Sequence, residues 1–173
     1  GTVFFLTPMA RGDEHDRLLF LFKNFLKEHC PGLFLFFYRT LALFVGIPAA
    51  QVIKNLPPAA LILNLGSGVK RIREDVINLD IYPYRNVSIV ADINALPFRD
   101  SSIDAVISEQ LLEHVPDPKY SVSEIRRVLK PGGLVYVSVP FMLAFHSSPG
   151  DYYRWTIPGL RELFKDFQEE KSG

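Results

Sequence analysis

Three short polar segments, each following an apolar run, carry the groups needed to hold a nucleoside-like ligand. Gly66-Ser67-Gly68 follows the run 60–65, and a turn whose ends lack Cβ atoms lets backbone N–H groups approach a ligand. Asp80 ends the run begun at 76–79 and is suited to accept from both hydroxyls of a ribose. Asp92-Ile93 follows 87–90: Asp92 could accept from an adenine amino group, the Ile93 backbone could bond a ring nitrogen, and Leu96 with Phe98 could cover the ring. Each segment alone has a plainer reading, a simple turn or a turn aspartate before Tyr82-Pro83. Three successive strand ends with complementary groups outweigh those separate readings, because open α/β sheets bind ligands beyond the carboxyl ends of their strands.

A second concentration of chemistry runs from His146 to Thr156. Asp151, Tyr152, Tyr153 and Arg154 are dense enough in polar and aromatic groups to recognise an acceptor molecule. His146 is a candidate general base for removing a proton from an attacking hydroxyl. An equal alternative is that His146, Asp151 and Arg154 tie this loop down by hydrogen bonds.

The elements that must position these groups read as a buried parallel sheet with strands at 60–65, 76–79, 87–90, 105–108 and 134–138. Tyr120, Val122, Ile125, Val128 and Leu129 form the apolar face of a crossover helix, with Glu124, Arg126 and Lys130 outward and Pro131-Gly132-Gly133 ending it. Residues 69–75 are too few for a first crossover helix, so a tight loop is expected there. Thr156 is placed to cap a last helix with Pro158 in its first turn and Leu160, Leu163 and Phe164 on its apolar face. Upstream, helices over 17–27 and from 33 to about 45, separated by Pro31-Gly32, would make an N-terminal cap. The chain thus divides into a tail and helical cap, 1–58, and an α/β domain, 59–173. The fold class is α/β, a Rossmann-like doubly wound parallel sheet.

At 173 residues the chain has room for one α/β domain. Nineteen basic residues balance 19 acidic ones and the isoelectric point is near 7.1, so no broad basic surface invites nucleic acid. The single Cys30 forms no internal disulfide and the N-terminal pattern is not that of a secretory signal, which points to the cytoplasm. The apolar stretch 33–47 is interrupted by Arg39 and is too short to cross a bilayer; a packed helix is preferred to one lying on a membrane surface.

The series Asn64-Leu65-Gly66-Ser67-Gly68, Asn78-Leu79-Asp80, Ala91-Asp92-Ile93-Asn94-Ala95-Leu96-Pro97-Phe98, Leu112-Glu113-His114-Val115-Pro116-Asp117 and Arg127-Val128-Leu129-Lys130-Pro131-Gly132-Gly133 resembles the methyltransferase type 11 domain over residues 61–140. This is a family of class I S-adenosylmethionine-dependent methyltransferases. The resemblance implies strand order 3-2-1-4-5 and S-adenosylmethionine as cofactor, and the acceptor is expected to be a small molecule or glycan methylated at oxygen. Gly66 and Gly68 would face the methionine part, Asp80 the ribose, and Asp92 with Ile93 the adenine. Ser108, Glu109 and Gln110 would lie beside the sulfonium, with Asn64, Ser67 and Ile81 completing the set. The loop from His146 resembles a His, Asp-Tyr-Tyr-Arg-Tyr-Thr stretch of methyltransferases acting on glycans or envelope precursors.

Some quinone-pathway relatives bind a divalent metal with two glutamates and a histidine around Glu113-His114. Gln110 stands where the first of those glutamates would be, so a polar helix start is preferred and no metal is expected. A complete domain of this type would add a hairpin of strands six and seven, which is missing before Gly173. The fifth strand is therefore expected as an edge unless residues 3–7 or a second subunit, in a homodimer, pair with it. A rival reading is a non-catalytic or truncated protein that keeps the cofactor cleft. An oxidoreductase is disfavoured, because the glycine turn lacks the third glycine and the following helix of a pyrophosphate site.

Overall fold

Runs of Ile, Leu and Val too short for helices pair side by side as strands, the central three of them largely buried. They are Ile62–Leu65 (β1), Val76–Asp80 (β2), Ile89–Val90 (β3), Ile103–Glu109 (β4) and Leu129–Ser138 (β5). In the computed structural model, which describes residues 25–26, 28–33, 48–140, 145–146 and 150–171, they form one parallel sheet in the order β3-β2-β1-β4-β5. This is the expected fold class and strand order. The expected helices over 17–27 and 33–45 fall almost wholly outside the described residues, as do residues 3–7. Among the described residues β5 is an edge of the sheet, and no helix is long and apolar enough to cross a membrane.

Register fixes what the strand ends share. Leu65 lies opposite Leu79 of β2 and Ser108 of β4, and Asp80 lies opposite Val90 of β3. Whatever follows β1, β2 and β4 therefore emerges on one rim. Alternation sends Leu63, Leu65 and Val106 into one core, beside Ile125 and Val128 of the crossover helix, and Ile62, Ala105 and Ile107 into the other, under Ala49 and Ile53. β1 is buried along its whole length, as a central strand with cores above and below must be.

Three α-helices are described: Ala49–Val52 (α1), Pro118–Val128 (α2) and Ile157–Leu163 (α3). The carboxylate of Asp117 caps α2 by accepting from Tyr120 N, with Pro118 at the first position, where its missing N–H costs nothing. Two expectations need correction. Helix α2 ends at Val128, because Leu129 already turns extended and pairs with Ile103; the Pro131-Gly132-Gly133 turn is a bulge inside β5, with Gly132 at φ 75°. Tyr120 is 54% exposed, since the buried stripe runs through Pro118, Ser121, Val122, Ile125 and Val128, leaving position 120 outside it. Residues 69–75 make turns without a helix, and Thr156 caps α3 by accepting from Gly159 N, both as expected.

Candidate active site

The rim above β1 is built by the glycine turn. Gly66 and Gly68 adopt φ of 61° and 52°, left-handed conformations that side chains resist. Ser67 N donates to Leu79 O, which folds the turn over the end of β2, and Gly68 N donates to Asp80 Oδ2 at 2.8 Å. A Cβ at Gly66 would meet Leu111 Cδ1 at 2.7 Å, whereas one at Gly68 would meet nothing within 4 Å. The second glycine thus borders open space.

Asp80 is 7% exposed, and its other oxygen accepts from Tyr82 N at 3.0 Å. The turn-aspartate geometry and the contact with the glycine turn coexist. Each oxygen spends one of its two acceptor positions, leaving capacity for a diol. Ala91 N donates to Asp80 O, so Asp92 begins one residue past that link, and Asp92 Oδ1 accepts from Asn94 N in a local turn. Asp92 is exposed, while Ile93 and Leu96 are buried in the core and Phe98 packs against it. Leu96 therefore packs in the core.

Arg127 fixes this third segment from below. It donates to Leu96 O and Phe98 O and to the Glu124 carboxylate, which in turn accepts from Leu96 N. The Arg127 hydrogen bond holds the Glu124 carboxyl below its ordinary range. Asn64, expected at the cofactor, instead sits inside the sheet with Nδ2 donating to Asn78 Oδ1 at 3.0 Å, a brace between β1 and β2. Ile81 follows Asp80 directly with 54% of its surface exposed.

Beyond β4, Ser108 is fully buried and Gln110 takes φ 53°, with its backbone N donating to Ser138 O. Ser67 Oγ, Ser108 Oγ and Glu109 Oε1 are all buried without a hydrogen-bond partner. Buried polar atoms are normally paired, so three orphans around one rim mark groups shaped for something besides the protein. The other oxygen of Glu109 pairs with Lys70 Nζ, which arrives from the short loop after the glycine turn. Sequence reasoning weighed that loop for its length alone and missed Lys70.

The loop after β5 is organised differently. Asp151, whose side chain is 1% exposed, receives both Nη atoms of Arg154, with Nη2 at 2.7 Å from Oδ2, and the backbone N of His146 at 2.8 Å. Those Arg154 bonds hold its carboxyl well below the usual carboxylate range. Tyr152 N donates to Glu113 O and Tyr153 OH donates to Pro116 O, so the loop docks onto the 3-10 turn Leu112–His114. The tie-down reading of Asp151 and Arg154 is therefore realised. Phe145, Asp151, Tyr152, Tyr153 and Arg154 line an open depression of about 330 Å³.

His146 lies edge-on to His114, ring centres 4.9 Å apart, and its Nδ1 is 3.6 Å from Asp151 Oδ2. Glu113 beneath them is fully buried, and burial pushes its carboxyl up to about 7. Sequence reasoning noticed Glu113 and His114 as neighbours but had no means of bringing His146 beside them.

Residues 66–137 match the family described as methyltransferase domain. A demethylmenaquinone methyltransferase of Staphylococcus aureus is 37% identical over 89 residues, covering 49% of this chain and 37% of that protein. Two of the first curated relatives are matched over only 27% and 37% of their own length. Among solved structures, the 1,6-didemethyltoxoflavin-N1-methyltransferase of Burkholderia thailandensis superposes with a TM-score of 0.63 at 18% identity, covering 92% of this chain and 81% of that one. A possible histamine N-methyltransferase of Thermotoga maritima gives 0.59 at 18% identity, with 84% and 78% covered. Over residues 66–137 the resemblance read from the motifs is borne out as a match to a methyltransferase domain, and the sheet has the Rossmann-like strand order.

Proposed function

We propose that the chain binds S-adenosylmethionine across the carboxyl ends of β1, β2, β3 and β4 and transfers its methyl group to a small-molecule or glycan acceptor, at oxygen, in the cytoplasm. The observation that carries the reading is the set of orphaned polar atoms, Ser67 Oγ, Ser108 Oγ and Glu109 Oε1, around a glycine turn bonded to Asp80. The donor set fits the cofactor. Backbone at Gly66 and Gly68 suits an amino-acid moiety, Asp80 a ribose diol, Asp92 with the Ile93 backbone an adenine edge, and Glu109 a cation.

Methyl transfer from a sulfonium proceeds by in-line attack, forming the bond from nucleophile to methyl carbon as the carbon–sulfur bond breaks. The neutral thioether leaves without an acid. Only the proton of the attacking hydroxyl needs a destination, for which His146 is the candidate. Positioning and exclusion of water supply the rest of the acceleration. The depression bordered by Tyr152, Tyr153 and Arg154 is the candidate acceptor site.

Calorimetric titration with S-adenosylhomocysteine tests the first half. One site per chain is expected, weakened roughly 10- to 100-fold by Asp80→Ala, as for loss of hydrogen bonds to a charged group, with no heat from NAD. Binding unaffected by Asp80→Ala would contradict the assignment. Binding without turnover on any glycan or small hydroxylated acceptor would instead favour the non-catalytic reading.

A further inference from the structure

Glu113, His114 and His146 offer one carboxylate oxygen and two imidazole nitrogens, all within 4.8 Å of one another. Glu113 is fully buried, and neither of its carboxylate oxygens has a hydrogen-bond partner. A carboxylate kept dry and unpaired is costly, and such a group is normally paired or bound to a metal. It faces the cluster: Oε1 lies 3.8 Å from His114 Nε2.

Both histidines are oriented as ligands are. The Gly150 carbonyl beside His114 Nδ1 can only accept, so Nδ1 carries the hydrogen and the neutral ring presents its lone pair at Nε2, toward Glu113. Asp151 stands 3.6 Å from His146 Nδ1, outside hydrogen-bond length but placed where a small ring movement would give the carboxylate-behind-imidazole arrangement of metal-bound histidine. Asp151 is in turn held by Arg154.

We propose that Glu113, His114 and His146 form a site for a first-row divalent cation of the Zn²⁺ type, which fastens the turn after β4 to the loop after β5. Two imidazoles and one carboxylate suit such an ion better than Mg²⁺ or Ca²⁺, which prefer oxygen. Ligand atoms on a tetrahedral zinc lie about 3.3 Å apart for bonds near 2.0 Å, so closing the site takes side-chain adjustments on the order of an ångström. Three protein ligands leave a fourth position for solvent or a bound molecule. His146 is also the candidate proton acceptor above, but no ligand belongs to the glycine turn, Asp80 or Asp92, so cation binding and cofactor binding fail separately.

The test uses the full chain, stripped of metal and carrying Cys30→Ser to remove the exposed thiol. Zn²⁺ is titrated against a chromophoric chelator, with Co²⁺ as a spectroscopic probe. One Zn²⁺ per chain is expected, along with the visible absorption of a low-coordinate Co²⁺ site. Glu113→Gln and His146→Ala should each weaken Zn²⁺ by roughly tenfold or more, while His29→Ala, at an exposed position, leaves it unchanged. Glu113→Gln is nearly isosteric and His146 lies in a loop, and unchanged circular dichroism certifies that both variants fold. Failure to bind Zn²⁺ stoichiometrically, or an affinity in both folded variants unchanged from the parent chain, overturns the proposal.

Discussion

The two sides of the proposed cleft solve opposite problems. Along the strand tips, Ser67 Oγ, Ser108 Oγ and Glu109 Oε1 are buried with nothing to bond, around a backbone held in left-handed turns. Along the loop after β5, where Trp155 Nε1 is also buried without a partner, the most buried charge, Asp151, is saturated by Arg154 and the His146 backbone. A surface that stores unpaired polar atoms has given up stability for a ligand; one that pairs its charges internally has used them to hold its own shape. On the proposed reading the strand tips receive the cofactor. The loop is a braced frame whose recognition falls to what it leaves exposed, Phe145 and Tyr152 above all.

Breaking the frame should have the largest effect on stability. Arg154→Ala strands a buried carboxylate, and the loss should be about 3 kcal/mol, at the lower end for a broken buried pair because the guanidinium is partly exposed. Chemical denaturation reads this loss, and cofactor affinity should change little. Gly66→Ala attacks the receptor: the left-handed backbone costs about 1–2 kcal/mol, Leu111 must move, and cofactor affinity should fall with stability.

Ser108→Ala sharpens the contrast, because the two readouts should move in opposite directions. Removing an unpartnered buried hydroxyl should raise stability by up to about 1 kcal/mol while lowering affinity for S-adenosylhomocysteine. A hydroxyl that merely packs would leave affinity unchanged. The smallest effect is a pH slope. Glu124 has its pKa lowered mainly by Arg127, so its contribution is complete above the unfolded value of about 4.3 and is lost as pH falls through the lower folded value. Glu124→Gln should flatten acid unfolding in that window, read by thermal melts from neutral pH downward.

What the sequence made legible divides along the same line. The place of Gly66, Gly68, Asp80 and Asp92 after the strand ends was readable because strand periodicity and register bring successive carboxyl ends to one rim whatever the side chains do. Thr156 was readable because a helix cap is a local bargain between neighbours. The brace from Asn64 was not readable, because its partner Asn78 lies on another strand, a pairing that motif position does not encode. The end of α2 was misjudged because Leu129 can satisfy the helix stripe and β5 alike, and pairing with Ile103 decides between them. The pairing of Lys70 with Glu109 and the meeting of His146 with Glu113 and His114 were beyond reach, since each depends on how a loop closes.

The central claim is that one nucleoside-shaped cleft lies over the strand tips, and a crystal of the chain soaked with S-adenosylhomocysteine tests it most directly. The expected density runs over Gly66 and Gly68, with the ribose hydroxyls on the Asp80 carboxylate and the adenine beside Asp92 and Ile93. Density for the ligand anywhere else, with Asp80 bonded only to Gly68 and Tyr82 as before, would contradict it.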